Sequence, residues 1–394
     1  MRNSQLIMKR DSFPKELDLL LAYLKLEQDE LSHGRQQELA IDMDWDRFIQ
    51  LVRHHRVSAI IYNRLKNANH PWIPTNVLEA LRNEYNNNVF RMLHLSGEME
   101  SICKLLAENH IHALLLKGPA LAFDLYGDIS LRTSKDLDIL VDIHKLDEVN
   151  KLLLEQGYET EDIIQTLLNS WKWRKQHVAY FHPRKRIFLE LHWRLNPGPA
   201  KEPSFNELWE RKKLNALTSY PVYGLGEADL FCFLVSHGAR HGWFRLRWLV
   251  DIDILTRRQI DWTSVSLFLK KYQLTMIGGQ ALKLASNLLG TPLNNEMETM
   301  ANRSRAGLLA QLALLFINEK YDLHSNPPET IASNLKRYLF AVKSKRQKLL
   351  YILNKFYPYP IDAQTLPLPK SIHYLYFPLR PFLWAWRKAK DVLT

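Results

Sequence analysis

The sequence predicts an α+β protein in which a small mixed sheet is flanked by N-terminal helices and a helical C-terminal region. Three observations carry this. Residues 14 to 110 and 227 to 328 repeat apolar side chains at helical spacing. Between them, Ala113–Leu116, Leu137–Val141, His177–Phe181 and Ile187–Trp193 are short apolar or alternating runs bounded by Gly, Pro and charge, as strands are. A Pro- and Gly-rich loop, Pro197 to Pro203, then separates the strands from the helices that follow. On these marks the chain divides into an N-terminal helical region (1–110), a sheet-bearing core (111–200), a helical domain (201–330) and a basic, aromatic extension (331–394).

At 394 residues and 46% hydrophobic, the chain is long and apolar enough to bury a real core. Its two cysteines, Cys103 and Cys232, sit inside apolar helical patterns and read as core thiols, which fits a reducing cytoplasm. The basic N-terminus leads into an apolar stretch broken by Lys15, Glu16, Asp18 and Lys25: an amphipathic helix, not a signal peptide or membrane span. A net charge of +11 attracts phosphates without regard to sequence. The basic residues are scattered, however, and densest after residue 330. With no zinc spacing, RNA-binding signature or repeat, nucleic acid is not the expected partner.

In chain order, Asp44-Trp45-Asp46 opens a helix, with Phe48, Leu51, Val52 and His55 at helical spacing, and Val57 to Leu65 continues it. Pro71 and Pro74 break the pattern. Val77 to Asn109 is then one long helix, with a buried stripe expected to run from Leu78 and Leu81 through Val89, Met92 and Leu93 to Leu106. His54 and His55 are expected at the surface or in a cap.

The stretch from Leu114 to Asp142 is the most specific in the chain. An apolar strand stops at Lys117-Gly118-Pro119; Gly118 permits a turn, and Pro119 suits the first position of a helix, where its missing N–H costs nothing. A loop carrying Arg132 leads to a second strand, on which Asp136 and Asp138 share a face because side chains alternate. Two carboxylates side by side repel unless a cation sits between them, and Mg²⁺ matches the pair through its preference for hard oxygen ligands. Acidic-x-acidic patterns also occur at Glu98/Glu100 and Asp251/Asp253, so spacing alone is weak. The competing reading pairs the two aspartates with Lys135 or Arg132. What favours a metal is their place at the head of an aliphatic, central strand, where an unpaired carboxylate is costly to desolvate.

After Asp142, Lys145 to Gln156 reads as a helix stopped by Gly157, Tyr158-Glu159 as the start of a return strand, and Ile163 to Trp171 as helix. His177–Phe181 and Ile187–Trp193, joined by Pro183–Arg186, form an expected antiparallel hairpin. In its second strand Phe188, Glu190 and His192 share one face, and Ile187, Leu189, Leu191 and Trp193 the other. Glu190 is then a candidate third carboxylate on a neighbouring strand.

The order KG, helix, LYGD, Arg132, DLDILV and LELHW resembles the uncharacterised nucleotidyltransferase family of the polymerase-β-like superfamily, over roughly residues 45 to 260. The resemblance implies a polymerase-β-like sheet with Gly118 as phosphate-turn glycine, Asp136 and Asp138 as metal pair and Glu190 as third acid. Mg²⁺, with Mn²⁺ as an alternative, is the implied cofactor. A nucleoside triphosphate and an acceptor of unknown kind (small molecule, peptide or protein) are the implied partners. Lys117 and Arg132 would supply phosphate charge and His192 a proton relay. One departure stands out: the superfamily carries Gly-Ser or Gly-Gly at the turn, and here Gly118-Pro119 lacks a serine to grip phosphate. Two other readings stay open. A nucleotide sugar donating to a phosphorylated peptide or other acceptor would be told apart by product mass, and a non-catalytic nucleotide-binding protein by weak or metal-independent binding.

From Glu227 the pattern is helical again. His237 and His241 share a helix face beside Arg240. No glutamate follows the first histidine and no third ligand is evident, so zinc is disfavoured. The cluster, with Arg245 or Arg247, either faces the nucleotide or pairs with Asp251 and Asp253. In the extension, Ile372 to Lys390 mixes aromatic and basic residues. Packing against its own domain is the favoured expectation, with peripheral membrane contact the alternative. Pro378 and Pro381 are expected to interrupt any continuous helix there.

Overall fold

The computed structural model describes residues 13–26, 30–66, 70–160, 167–320 and 328–393. Five helices come first: α1 (Lys15–Leu24), α2 (Glu30–Ala40), α3 (Trp45–His55), α4 (Ser58–Leu65) and α5 (Thr75–Glu108). Asp44 caps α3 as its position suggests, accepting from the Arg47 N–H at 2.9 Å. The core follows as β1 (Ala113–Leu115), α6 (Gly118–Tyr126), β2 (Asp136–Val141), α7 (Leu146–Glu155), α8 (Trp171–Arg174), β3 (His177–His182) and β4 (Ile187–His192). After α9 (Phe205–Glu210), β5 (Lys213–Asn215) and β6 (Val222–Gly224), the chain is helical: α10 (Glu227–Arg240), α11 (Leu246–Thr256), α12 (Trp262–Lys271), α13 (Thr275–Leu289), α14 (Asn295–Ala301), α15 (Ser304–Asn318), α16 (Glu329–Ala341), α17 (Lys345–Asn354), α18 (Pro360–Thr365) and α19 (Tyr376–Leu393).

The six strands run in the order β3-β4-β2-β1-β6-β5. β1 and β2 are antiparallel, β2 and β4 parallel, and β3 and β4 form the expected antiparallel hairpin. Alternation gives the sheet two unlike faces. Leu137, Ile139 and Val141 of β2 join Leu189 and Leu191 of β4 in a core closed by Met92, Met99 and Ile102 of α5 and Val149 of α7. A second, larger core joins N-terminal residues such as Leu17 and Phe48 to Leu230, Leu249 and Leu284 of the later helices. The N-terminal and C-terminal helices therefore share apolar packing around the sheet. Cys103 and Cys232 are free, buried, and belong to different cores. No helix among the described residues is long and apolar enough to cross a membrane.

Several expectations are corrected. Leu93 is 56% exposed, because the buried face of α5 runs Met92, Leu95, Met99, Ile102 and Leu106, about 100° round from it. His55 lies inside, fully buried with Nδ1 accepting from the Leu246 N–H at 3.2 Å, and His54 is half-buried, its Nδ1 taking Arg245 Nη1 at 2.7 Å. Tyr158-Glu159 contributes only an isolated bridge, Glu159 to Phe181. Of the helix expected over Ile163 to Trp171, residues 163–166 lie outside the described residues, and α8 begins only at Trp171.

The extension departs most. α19 is continuous through both prolines. Pro378 sits in the first turn, where no N–H partner is needed, and Pro381 gives up a single backbone bond. Tyr376 and Leu383 pack with Leu167, and the buried Asp362 holds Arg380 and Arg387, so one side of α19 is docked. Phe382, Trp384 and Trp386 nevertheless point outward, each more than half exposed. Tyr376 thus packs into its own domain as expected, and Phe382, Trp384 and Trp386 do not. Trp384→Ser and Trp386→Ser should change thermal stability by no more than about 0.5 kcal/mol, as surface substitutions do. Leu383→Ala should loosen α19 by about 2–5 kcal/mol, read by amide exchange.

Candidate active site

β2 and β4 build the site together. Their parallel register sets Asp138 opposite Glu190 and Leu140 opposite His192, so the two acids and His192 come together on one face. β3 adds His177 directly across from His192, with ring centroids 4.8 Å apart. β1 ends at the turn where Lys117 reaches back over β2, placing Nζ 2.7 Å from Asp138 Oδ1. Gly118 makes that turn at φ +72°, and a Cβ there would rest 3.5 Å from the Asp136 carbonyl oxygen. The left-handed conformation, more than lack of space, is what calls for glycine.

Asp138 is 1% exposed. Burial would raise its carboxyl, but Lys117 and the His192 imidazole 3.2 Å away outweigh it and hold the group far below the usual carboxylate range. His192 Nε2 also lies 3.1 Å from Glu190 Oε2. Burial pushes the His192 ring toward neutrality; its hydrogen bonds to Asp138 and Glu190 win, and it stays protonated to higher pH than a free histidine. Burial, reinforced by Asp138, raises Asp136 against the pull of Lys117. The Ser134 hydroxyl donates to Asp136 Oδ1 at 3.3 Å.

The donor set fits a divalent cation. Asp138 Oδ2 is buried without a hydrogen-bond partner, so its lone pairs are open to a cation. His177, Glu190 and His192 each offer a ligand atom within 4.8 Å of the others, the one such group among the described residues. The carboxylates suit Mg²⁺; His177, which burial keeps neutral, and His192, once it gives up its proton, add nitrogen donors of the kind that suit Mn²⁺.

The C-terminal end of α10 stands over this face. Arg240 Nη1 donates to Gln176 Oε1 at 3.1 Å and Asn196 Oδ1 at 3.3 Å, and its charge is felt by Glu190 and Asp138. The His237 and His241 rings lie 4.7 Å apart, tilted by 59°, with Arg240 Nη2 3.3 Å from His237 Nδ1. Burial, then the neighbouring cations, holds His237 well below its usual range and His241 down to about 3. Neither pairs with Asp251 or Asp253. Arg247 is buried and donates to the carbonyl and hydroxyl of Thr133, bracing the loop ahead of β2.

Arg132 requires the plainest correction. It is 1% exposed and forms a two-pronged pair with Asp251, Nε to Oδ1 and Nη2 to Oδ2, both at 3.0 Å. Tyr126 donates to the same carboxylate at 2.8 Å. Its guanidinium ties the loop ahead of β2 to α11 instead of facing a phosphate. Asp253 is likewise used internally, by Arg257 and Thr291. The sequence reading missed His177 as part of the site, and named Arg240 only as a neighbour of His237 and His241. The four-residue connection 183–186 was the available signal for His177, since it sets the hairpin register that pairs His177 with His192.

A glycine turn feeding a helix, an Asp-x-Asp strand antiparallel to the strand before it, and a third acid on a parallel neighbour together make a nucleotidyltransferase-type core. The chain belongs to the uncharacterised nucleotidyltransferase family, whose family model matches residues 42–290, from the approach to α3 through α13. No curated protein matches the chain.

Two substitutions probe the scaffold of the site. Asp251→Asn leaves the buried Arg132 charge unpaired and should cost about 3–5 kcal/mol in urea unfolding. Gly118→Ala should cost about 1–2 kcal/mol, the penalty of a left-handed conformation for a residue with a Cβ, by the same measurement.

Proposed function

We propose that this protein moves a nucleoside monophosphate from an NTP to an acceptor hydroxyl or phosphate, using Mg²⁺ or Mn²⁺ held by Asp136, Asp138 and Glu190. The observation that supports the reading is the β2–β4 register, which sets Glu190 beside Asp138 on the face where Asp138 Oδ2 has no protein partner. Held there, a divalent ion would supply charge for the phosphate oxygens and would lower the pKa of the attacking hydroxyl. The side chains do the remaining work. Lys117, now on Asp138, is within reach of a phosphate oxygen once that carboxylate is otherwise engaged. The N–H groups of Gly118 and Ala120 at the start of α6, where Pro119 has none, carry the positive end of the helix and would stand in for the missing serine. His237, His241 and Arg240 bound the nucleotide side, whereas Arg132 and Arg247 act through the scaffold.

In the transfer, the acceptor oxygen bonds to the α-phosphorus as the bond to the bridging oxygen breaks, and pyrophosphate leaves with the electron pair. The acceptor proton passes to the Glu190–His192 pair. Glu190 is the partly open member, with 28% of its side chain exposed, while His192 links it to Asp138.

Calorimetry with Mg²⁺ and each of the four common NTPs tests the metal reading. Asp136→Asn and Asp138→Asn should each weaken metal-dependent binding at least about tenfold, or 1.4 kcal/mol, with unchanged circular dichroism. Wild-type affinity in both variants would falsify it. With an acceptor in hand, product mass separates a nucleotidyl from a hexosyl addition.

A further inference from the structure

We propose that the cleft between the N-terminal helices and the loop ahead of β2 binds a phosphate group of the acceptor, an assignment that rests on the nucleotidyl-transfer reading above. The cleft measures about 730 Å³, the size of a small-molecule site. Six cationic side chains line it: Arg53, Arg56, Arg91, Lys135, Arg245 and Lys320. Glu84 is the one carboxylate among its described lining residues, and Arg53 already holds it. This is a local concentration. Residues 329–394 carry twelve Lys and Arg against three Asp and Glu, so most of the +11 lies there and the rest of the chain is nearly balanced.

The walls are shaped for an anion as well as charged. Ser58 and Ala59, the first two residues of α4, line the cleft, and no side chain caps that helix, so its leading N–H groups add to the positive field. Arg245 is 7% exposed and fixed by His54, whose Nε2 is buried without a partner. Burial and then Arg245, with Lys320 and Arg56 contributing, push His54 down to about 4, so it meets a ligand as a neutral imidazole. Several guanidinium forks beside lysines suit phosphate oxygens.

Two phosphate sources could answer to this chemistry: the acceptor, or the triphosphate of the NTP. Position favours the acceptor. Lys117 and Gly118, which the nucleotide reading uses for its phosphates, are not among the cleft walls. Ser134 is, and its hydroxyl bonds Asp136 Oδ1, so the cleft reaches the acids through the loop ahead of β2. A phosphorylated molecule anchored there would present a neighbouring hydroxyl to the metal-binding face.

Calorimetry of the full chain with inorganic pyrophosphate in EDTA tests this. Arg91 and Lys320 are exposed, so Arg91→Gln and Lys320→Gln should leave the fold intact. Each should weaken pyrophosphate binding at least about tenfold, wild-type binding should fall steeply with salt, and Asp138→Asn should leave it unchanged. Mg²⁺·NTP binding by Arg91→Gln should stay within about twofold of wild type. Wild-type pyrophosphate affinity in both cleft variants overturns the anion site. Parallel loss of Mg²⁺·NTP in Arg91→Gln assigns the cleft to the nucleotide and overturns the acceptor assignment. Failure of the nucleotidyl-transfer reading shows separately, as retained Mg²⁺·NTP binding in Asp136→Asn and Asp138→Asn.

Discussion

Asp138 is a carboxylate with almost no contact with water, placed in a strand flanked on both sides by others. An ion so placed costs several kcal/mol unless its charge is met, and the surrounding architecture can be understood as the means of meeting it. The turn after β1 must bend back so that Lys117 reaches Oδ1, which requires the left-handed Gly118. β4 must run parallel to β2 in one register so that His192 arrives at the same oxygen. A slip of one residue would turn His192 and Glu190 into the apolar core and bring Leu191 against the carboxylate. The chemistry of the site and the pairing of the sheet are therefore a single constraint.

The second ionic interaction, Arg132 with Asp251, extends that constraint to the helices. Both partners are buried, the pair has two prongs, and Tyr126 completes it from α6. It connects the loop that aims β2 with α11, and Arg247 on the same helix holds Thr133 one residue further on. The later helices thus position the strand carrying Asp136 and Asp138 as well as covering it. This is why a family match that extends through α13 makes structural sense: the sheet alone would leave its acidic face and the loop ahead of β2 unsupported.

Much of this was legible in the sequence because it depends on short-range geometry. Alternation along β2 and β4 fixes which residues share a face, and the glycine between strand and helix fixes where the chain turns. What stayed hidden depends on distant partners. Arg132 sits beside the aspartates in sequence and looks like a phosphate ligand; only the approach of Asp251, 119 residues later, removes it from solvent. His54 and His55 look like a polar helix end until Arg245 and the Leu246 N–H come in from α11's start. The aromatics of α19 failed in the other direction. Aromatic residues usually find a core, but α19 buries only Tyr376 and Leu383 on its docked side, and the tryptophans are left facing out.

The charge distribution ties these observations to function. A net +11 read as an average suggests a surface for polyanions, but most of it belongs to residues 329–394. Two of those cations, Arg380 and Arg387, are spent internally on Asp362. Across the remainder, near balance lets local clusters differ in purpose. At the acids, Lys117 and His192 meet the buried charge of Asp138, a task that a metal would share in the transfer proposed above. In the cleft ahead of β2, six cations stand with one carboxylate among the described lining residues, the local excess of positive charge from which the anion site is proposed. The two regions adjoin at Ser134, so in the transfer proposed above a metal-bound phosphate and an anionic co-substrate would sit side by side without binding in each other's place.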